Sequence, residues 1–104
     1  MHKDILIICE TGISASLLVS KILEAIREKR LSYEIDYAPI RRVEEKLNSK
    51  GYDVLLLTPQ VARSEEKVKE IIKKEKCKAQ IIFINKDDFR YMNIENIIAS
   101  IEEN

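Results

Sequence analysis

Three stretches of the chain are apolar with little or no alternation: DILIIC at residues 4–9, DVLLLT at 53–58 and AQIIFIN at 79–85. Runs of this length predict strands buried on both faces. A fourth stretch, SYEIDYA at 32–38, alternates Tyr33, Ile35 and Tyr37 with Ser32, Glu34 and Asp36. It predicts an edge strand with one wet face. Between the runs the period changes to that of a helix. Residues 15–29 place Leu18, Ile22, Ala25 and Ile26 on one face. Pro39 can open a helix that runs to about Lys50, with Ile40, Val43 and Leu47 inward and Gly51 as its stop. A third helix is predicted to begin between Val61 and Glu65. Ser64, Glu65 and Glu66 suit its start, and Lys73, Lys74 and Lys76 suit its last turn. Asn93 can cap a final helix carrying Ile94, Ile97, Ile98 and Ile101.

The order βαβαβαβα predicts an α/β fold: a four-stranded parallel sheet with helices on both faces, joined by right-handed crossovers. Strand 2 alternates, which puts it at an edge and suggests the spatial order 2-1-3-4. The chain then reverses direction between strands 1 and 3. Ligands bind in that crevice, outside the carboxyl ends of the strands. Two loops meet there: residues 9–16 and residues 58–64.

Composition narrows the function. A chain of 104 residues fits one domain, 1–104, and its 45% hydrophobic content is enough for a core. Eighteen basic residues balance eighteen acidic ones and are interleaved with them, so no nucleic-acid surface is expected. The run from Ile5 to Ile8 is too short for a signal core, and nothing approaches a membrane span. Cys9 and Cys77 suggest neither a disulfide framework nor a zinc spacing. No metal or cofactor is expected, and the default location is the cytoplasm, with reduced thiols.

The segment CETGISAS at 9–16 carries the candidate chemistry. Backbone N–H groups of a turn that enters a helix bind anions, and the helix dipole adds to this. Gly12 supplies backbone freedom. Ser14 and Ser16 can cap the helix or donate to phosphate. A thiol at such a place is expected to ionise more easily. Moving its pKa from about 8.5 to near 7 needs roughly 2 kcal/mol, about what a helix terminus can supply in good geometry. The alternative is that Cys9 is a small buried residue ending a strand. Ile13 would form a hydrophobic staple with Leu18 if Ser14 is the N-cap. Glu10 beside the thiol would discourage a second anion, and could also raise the thiol pKa.

Other loop chemistries fit less well. A nucleotide P-loop or dinucleotide fingerprint needs more glycines than one, and a dithiol redox site needs a cysteine where Gly12 stands. A receiver-type signalling module needs an aspartate where Thr58 stands and an acidic pair where Cys9 and Glu10 stand. The serious rival is a low-molecular-weight cysteine phosphatase, which uses Cys-x5-Arg. Here Ala15 occupies the arginine position. Arginines supplied to phosphoryl transfer are worth about 10³–10⁵ in rate, so hydrolysis of a thiophosphate should be slow.

The segments IICETGISASLLVSKI at Ile7–Ile22 and DVLLLTPQVA at Asp53–Ala62 resemble the B component, enzyme IIB, of the lactose/cellobiose/chitobiose class of bacterial sugar phosphotransferase systems. The resemblance spans nearly the whole chain. It implies a phosphocysteine carrier. Cys9 would accept a phosphoryl group from a histidine of an enzyme IIA partner and pass it to a sugar, a disaccharide in this class, held by the membrane enzyme IIC during uptake. Glu10, Thr11, Gly12, Ile13, Ser14, Ala15 and Ser16 would form the phosphate-binding loop, and Thr58, Pro59, Gln60 and Arg63 a second loop. Arg63 is expected near the Cys9 loop, helping to hold phosphate. The chain departs from the family pattern at Glu10, Ile13, Ala15, Thr58 and Arg63, where a small polar residue, methionine, threonine, glycine and an aromatic residue are usual. His2, the single histidine, is read as a solvated terminal residue and Cys77 as structural. The charged run Ser64–Lys78 is read as a solvated helix face.

Overall fold

The computed structural model describes residues 2–9 and 13–103, without the side chains of Ile13, Ser14, Ala15 and Ala62. Two of the three apolar runs become the central strands, while the third, at 79–85, forms an edge strand in which Gln80 and Phe83 are exposed, so it is not buried on both faces as expected. β1 (Lys3–Ile8) and β3 (Val54–Leu57) lie side by side and parallel, with Ile5 opposite Val54 and Ile8 opposite Leu57. β2 (Tyr33–Ala38) pairs with the other side of β1, and β4 (Gln80–Phe83) with the other side of β3. The sheet order is 2-1-3-4, as the patterning predicts.

Side chains alternate across a strand, so each central strand feeds two cores. On one face, Ile5, Ile7, Cys9, Val54, Leu56, Ile82 and Ile84 pack under α1 (Ile13–Lys29) and α5 (Ile94–Glu102). On the other, Leu6, Ile8, Ala38, Leu55 and Leu57 pack under α2 (Val43–Ser49) and α3 (Glu65–Lys74). Ile5 to Ile8 and Leu55 to Leu57 are all fully buried. Each such side chain contributes roughly 1.5–3 kcal/mol through burial, which explains why neither strand tolerates a polar alternation.

The edges depart from expectation. On β2, Tyr37 is exposed and Asp36 half-buried, because the Tyr52 hydroxyl donates to Asp36 at 2.7 Å and covers it. The single helix expected from Pro39 to Lys50 is broken: a 3-10 turn, Ile40–Arg42, precedes α2. Gly51 is not its stop. α2 ends where Lys50 turns extended, and the Lys46 carbonyl accepts from both the Ser49 hydroxyl and the Lys50 N–H. A second 3-10 turn, Pro59–Ser64, leads into α3, and Ser64 makes no side-chain cap. A short helix, α4 (Lys86–Arg90), was not expected; the Asn85 side chain caps it by accepting from the Asp87 N–H at 2.8 Å. Asn93 precedes α5 but does not cap it with its side chain, whose amide donates to Asp88 instead.

Candidate functional site

β1 ends at Ile8, so Cys9 is the first residue beyond the sheet's carboxyl edge. It keeps the alternation of Ile5 and Ile7 and turns its side chain into the core under α1, where the residue is 4% exposed. Its backbone is still anchored. The Cys9 N–H donates to the Ala38 carbonyl of β2 at 3.1 Å. On the other side, the Thr58 N–H donates to the Ile8 carbonyl at 3.1 Å, and the Thr58 hydroxyl donates to the same oxygen at 3.3 Å. The ends of β1, β2 and β3 are therefore tied together around one residue.

Of the expected phosphate loop, Glu10, Thr11 and Gly12 lie outside the described residues. Ile13, Ser14, Ala15 and Ser16 form the first turn of α1. Ser14 is thus helical rather than the N-cap, and the Ile13 side chain of the expected staple lies outside the described residues. Ser16 is exposed. The helix starts four residues after Cys9, which sets its unpaired N–H groups and positive dipole end at the same edge of the sheet.

The second loop is split in its behaviour. Thr58 and Val61 are fully buried, and the Val61 N–H donates to the Thr58 carbonyl at 3.1 Å. Pro59 is half-buried, while Gln60 and Arg63 face solvent on the 3-10 turn. The buried Thr58 hydroxyl is bonded to the Ile8 carbonyl, while Gln60 and Arg63 are the members of this loop that face solvent. Sequence reasoning also passed over Arg41 and Arg42, both exposed in the turn after β2 at this same edge. Ile40 and Val43 of that segment join Val61 in one apolar cluster, so the turns after β2 and β3 sit on the same face.

The electrostatics of Cys9 differ from expectation in one respect. Burial pushes its thiol above the ordinary value, because the thiolate would lose water that the core does not replace. The lowering expected from the loop would have to come from residues 10–12 and the α1 terminus. Cys77 sits half-buried on the opposite face of the sheet, where its sulfur accepts from the Ala79 N–H at 3.4 Å.

A nucleophile type at a switch point, four residues before a helix begins, is an arrangement several families share. The comparisons decide among them. The family described as "PTS system, Lactose/Cellobiose specific IIB subunit" matches residues 4–100. The chain belongs to this IIB family. It is 34% identical to a galactose-specific EIIB component of Lactococcus lactis subsp. cremoris, over 96% of this chain and 94% of that one. It is 33% identical to a cellobiose-specific EIIB component of Lactococcus lactis subsp. lactis over the same shares. Among solved structures, the cellobiose-specific IIB component of Borrelia burgdorferi superposes with a TM-score of 0.72 at 29% identity, covering 95% of this chain and 87% of that one. The lactose-specific IIB domain of Streptococcus pneumoniae superposes at 0.76 with 13% identity, covering 96% and 97%, and speaks for the fold alone. As a IIB component, this protein is a sugar phosphotransferase that works in phosphoryl transfer during sugar uptake. Among the described residues no helix is long and apolar enough to cross a membrane.

Proposed function

We propose that this IIB component is a single-domain cytoplasmic carrier that holds the phosphoryl group on Cys9, between a phosphohistidine of an enzyme IIA and a sugar bound by a membrane enzyme IIC. The observation that supports this reading most is the place of Cys9: the first residue beyond β1, its backbone still anchored, at the sheet's switch point, four residues before α1 begins. In the first step the Cys9 thiolate attacks phosphorus. A sulfur–phosphorus bond forms as the nitrogen–phosphorus bond breaks, and the histidine ring leaves as neutral imidazole carrying the proton that the Cys9 thiol gave up on ionising. In the second step a sugar hydroxyl oxygen attacks the same phosphorus. The sulfur departs as thiolate, and the hydroxyl proton goes to a base.

The first turn of α1, with the loop from Glu10 to Gly12, would receive the phosphoryl oxygens on backbone N–H groups. Arg63, and with it Arg41 and Arg42, would add positive charge at the rim of the crevice. The relatives' names divide between galactose and cellobiose. A disaccharide or galactose taken from IIC is consistent with both, since IIB need touch only the transferred hydroxyl. The hydrolase reading is disfavoured because Ala15 stands at the phosphatase arginine position and supplies no guanidinium for the phosphoryl oxygens.

The test is to incubate the protein with a phosphorylated IIA and locate the added phosphate by mass spectrometry. One phosphate on Cys9, as a thiophosphate ester, is expected, with almost no turnover of a chromogenic phosphate ester. Phosphate on Ser14, Ser16 or Cys77, or steady ester hydrolysis, would overturn the proposal.

A further inference from the structure

We infer that Thr58 is a positioning residue for phosphoryl transfer, acting through the peptide that joins Ile8 to Cys9. The Ile8 carbonyl and the Cys9 N–H belong to one planar peptide group. That group is held from both sides. Its N–H is bonded to Ala38 of β2, and its carbonyl accepts from the Thr58 backbone and the Thr58 hydroxyl together. With the plane fixed, the rotation left at the Cys9 α-carbon is restricted, and so is the direction in which its sulfur leaves the chain.

The hydroxyl is what makes Thr58 more than the next residue of β3. Thr58 is fully buried, and it is the one buried polar side chain among the described residues. A hydroxyl on a fully buried residue needs a partner, because burial without one is costly. The partner the fold provides is the carbonyl directly before the nucleophile. A hydroxyl proton donated inward cannot also be offered to a phosphoryl oxygen, so Thr58 belongs to the support of the site and not to its anion contacts.

This inference takes Cys9 as the phosphoryl acceptor, and the test separates the two ideas. Thr58→Val keeps the shape and the backbone N–H bond but removes the hydroxyl; Thr58→Ser keeps the hydroxyl and removes the methyl group. Two readouts are taken: kcat and KM for transfer from a phosphorylated IIA, and the pH dependence of iodoacetamide alkylation at Cys9, with Cys77 of the same molecule as reference. In Thr58→Val, kcat should fall several-fold with KM unchanged. Cys9 should alkylate several-fold faster and from a lower pH, because a loosened thiol regains water, while Cys77 keeps its rate. Thr58→Ser should restore both values. Wild-type kcat and alkylation in Thr58→Val, equal acceleration at both cysteines, or failure of Thr58→Ser to rescue would each overturn the inference. If Thr58→Val does not fold, Thr58→Ala is read in the same way. Absence of phosphate on wild-type Cys9 would defeat the proposed function, while the alkylation profiles would still decide whether Thr58 positions the thiol.

Discussion

The two ends of the sheet are built from different materials. At the amino end, charged groups are spent on one another. Lys50 reaches Asp4 at 3.1 Å and Glu34 at 3.2 Å, and His2 lies 3.3 Å from Asp4. The Asp4 N–H donates to the Asp53 carboxylate at 2.8 Å, and the Asp53 N–H returns a bond to the Asp4 carbonyl at 2.7 Å. His2, Asp4 and Glu34 come close enough to suggest a metal cluster, but the Lys50 ammonium already sits among them as their cation. At the carboxyl end, the turns after β2 and β3 expose arginines. Arg42 makes a long pair with Glu45 at 3.4 Å, and no ion pair among the described residues engages Arg41 or Arg63. The buried bonds there hold backbone in place around Cys9. Charge is used for closure at one end and left available at the other. In an open α/β sheet that is the division expected when one end carries the site.

The sharpest break in this comparison comes from the two cysteines, one at the carboxyl edge and one away from it. Cys9→Ser keeps the outline of the strand end but replaces a thiol with a far weaker acid. Uptake-coupled sugar phosphorylation should fall below detection. Cys77→Ser should transfer phosphate at the wild-type rate. Transfer by Cys9→Ser would show that Cys9 is not the acceptor.

A smaller effect is expected from the exposed arginine. Arg63→Ala should slow phosphoryl acceptance several-fold. Stability should stay within about 0.5 kcal/mol, the usual range for a surface change without a special contact. Equal transfer rates would show that the free charge at this end is not used on the phosphoryl group.

What could be read from sequence follows the same division. β1 and β3 were legible because a strand buried on both faces has no choice but to be apolar, and their order followed from the wet face of β2. The ends of elements were harder. α1 and α3 are followed by Arg30 and Lys76 in left-handed backbone, at φ 55° and 53°, where no glycine marks the stop. α4 is only five residues long, too short to show a period, although Asn85 followed by Asp87 and Asp88 was a cap signal that could have found it. Cys9 was legible as a nucleophile type at a strand end. Its burial was legible only as one of two alternatives, since it depends on which way the first residue beyond β1 turns. The use of Thr58 was not legible, since it rests on the β1–β3 register that sets it beside the Ile8 carbonyl.

The smallest effect belongs to the amino end and concerns pH. The hydrogen bond and charge of Lys50 hold the Asp4 carboxyl below its ordinary value, outweighing the opposite pull of its partial burial. Asp4 in turn raises the Lys50 ammonium. A carboxylate whose pKa is depressed on folding adds stability that is complete above its unfolded value of about 3.9 and is lost as pH falls through the folded value. Asp4→Asn removes that contribution while leaving the backbone bonds to Asp53 in place. Wild type should therefore be the more stable at pH 7, by a margin that stays constant down to about pH 4, closes below it, and shrinks in high salt. Phosphoryl transfer should be the same in both proteins at neutral pH. Urea melts at pH 7 and pH 3 decide the point. A gap that persists unchanged at pH 3 would mean that Asp4 acts through packing or backbone geometry instead of charge. A change in transfer rate would mean that the two ends of the sheet are not independent.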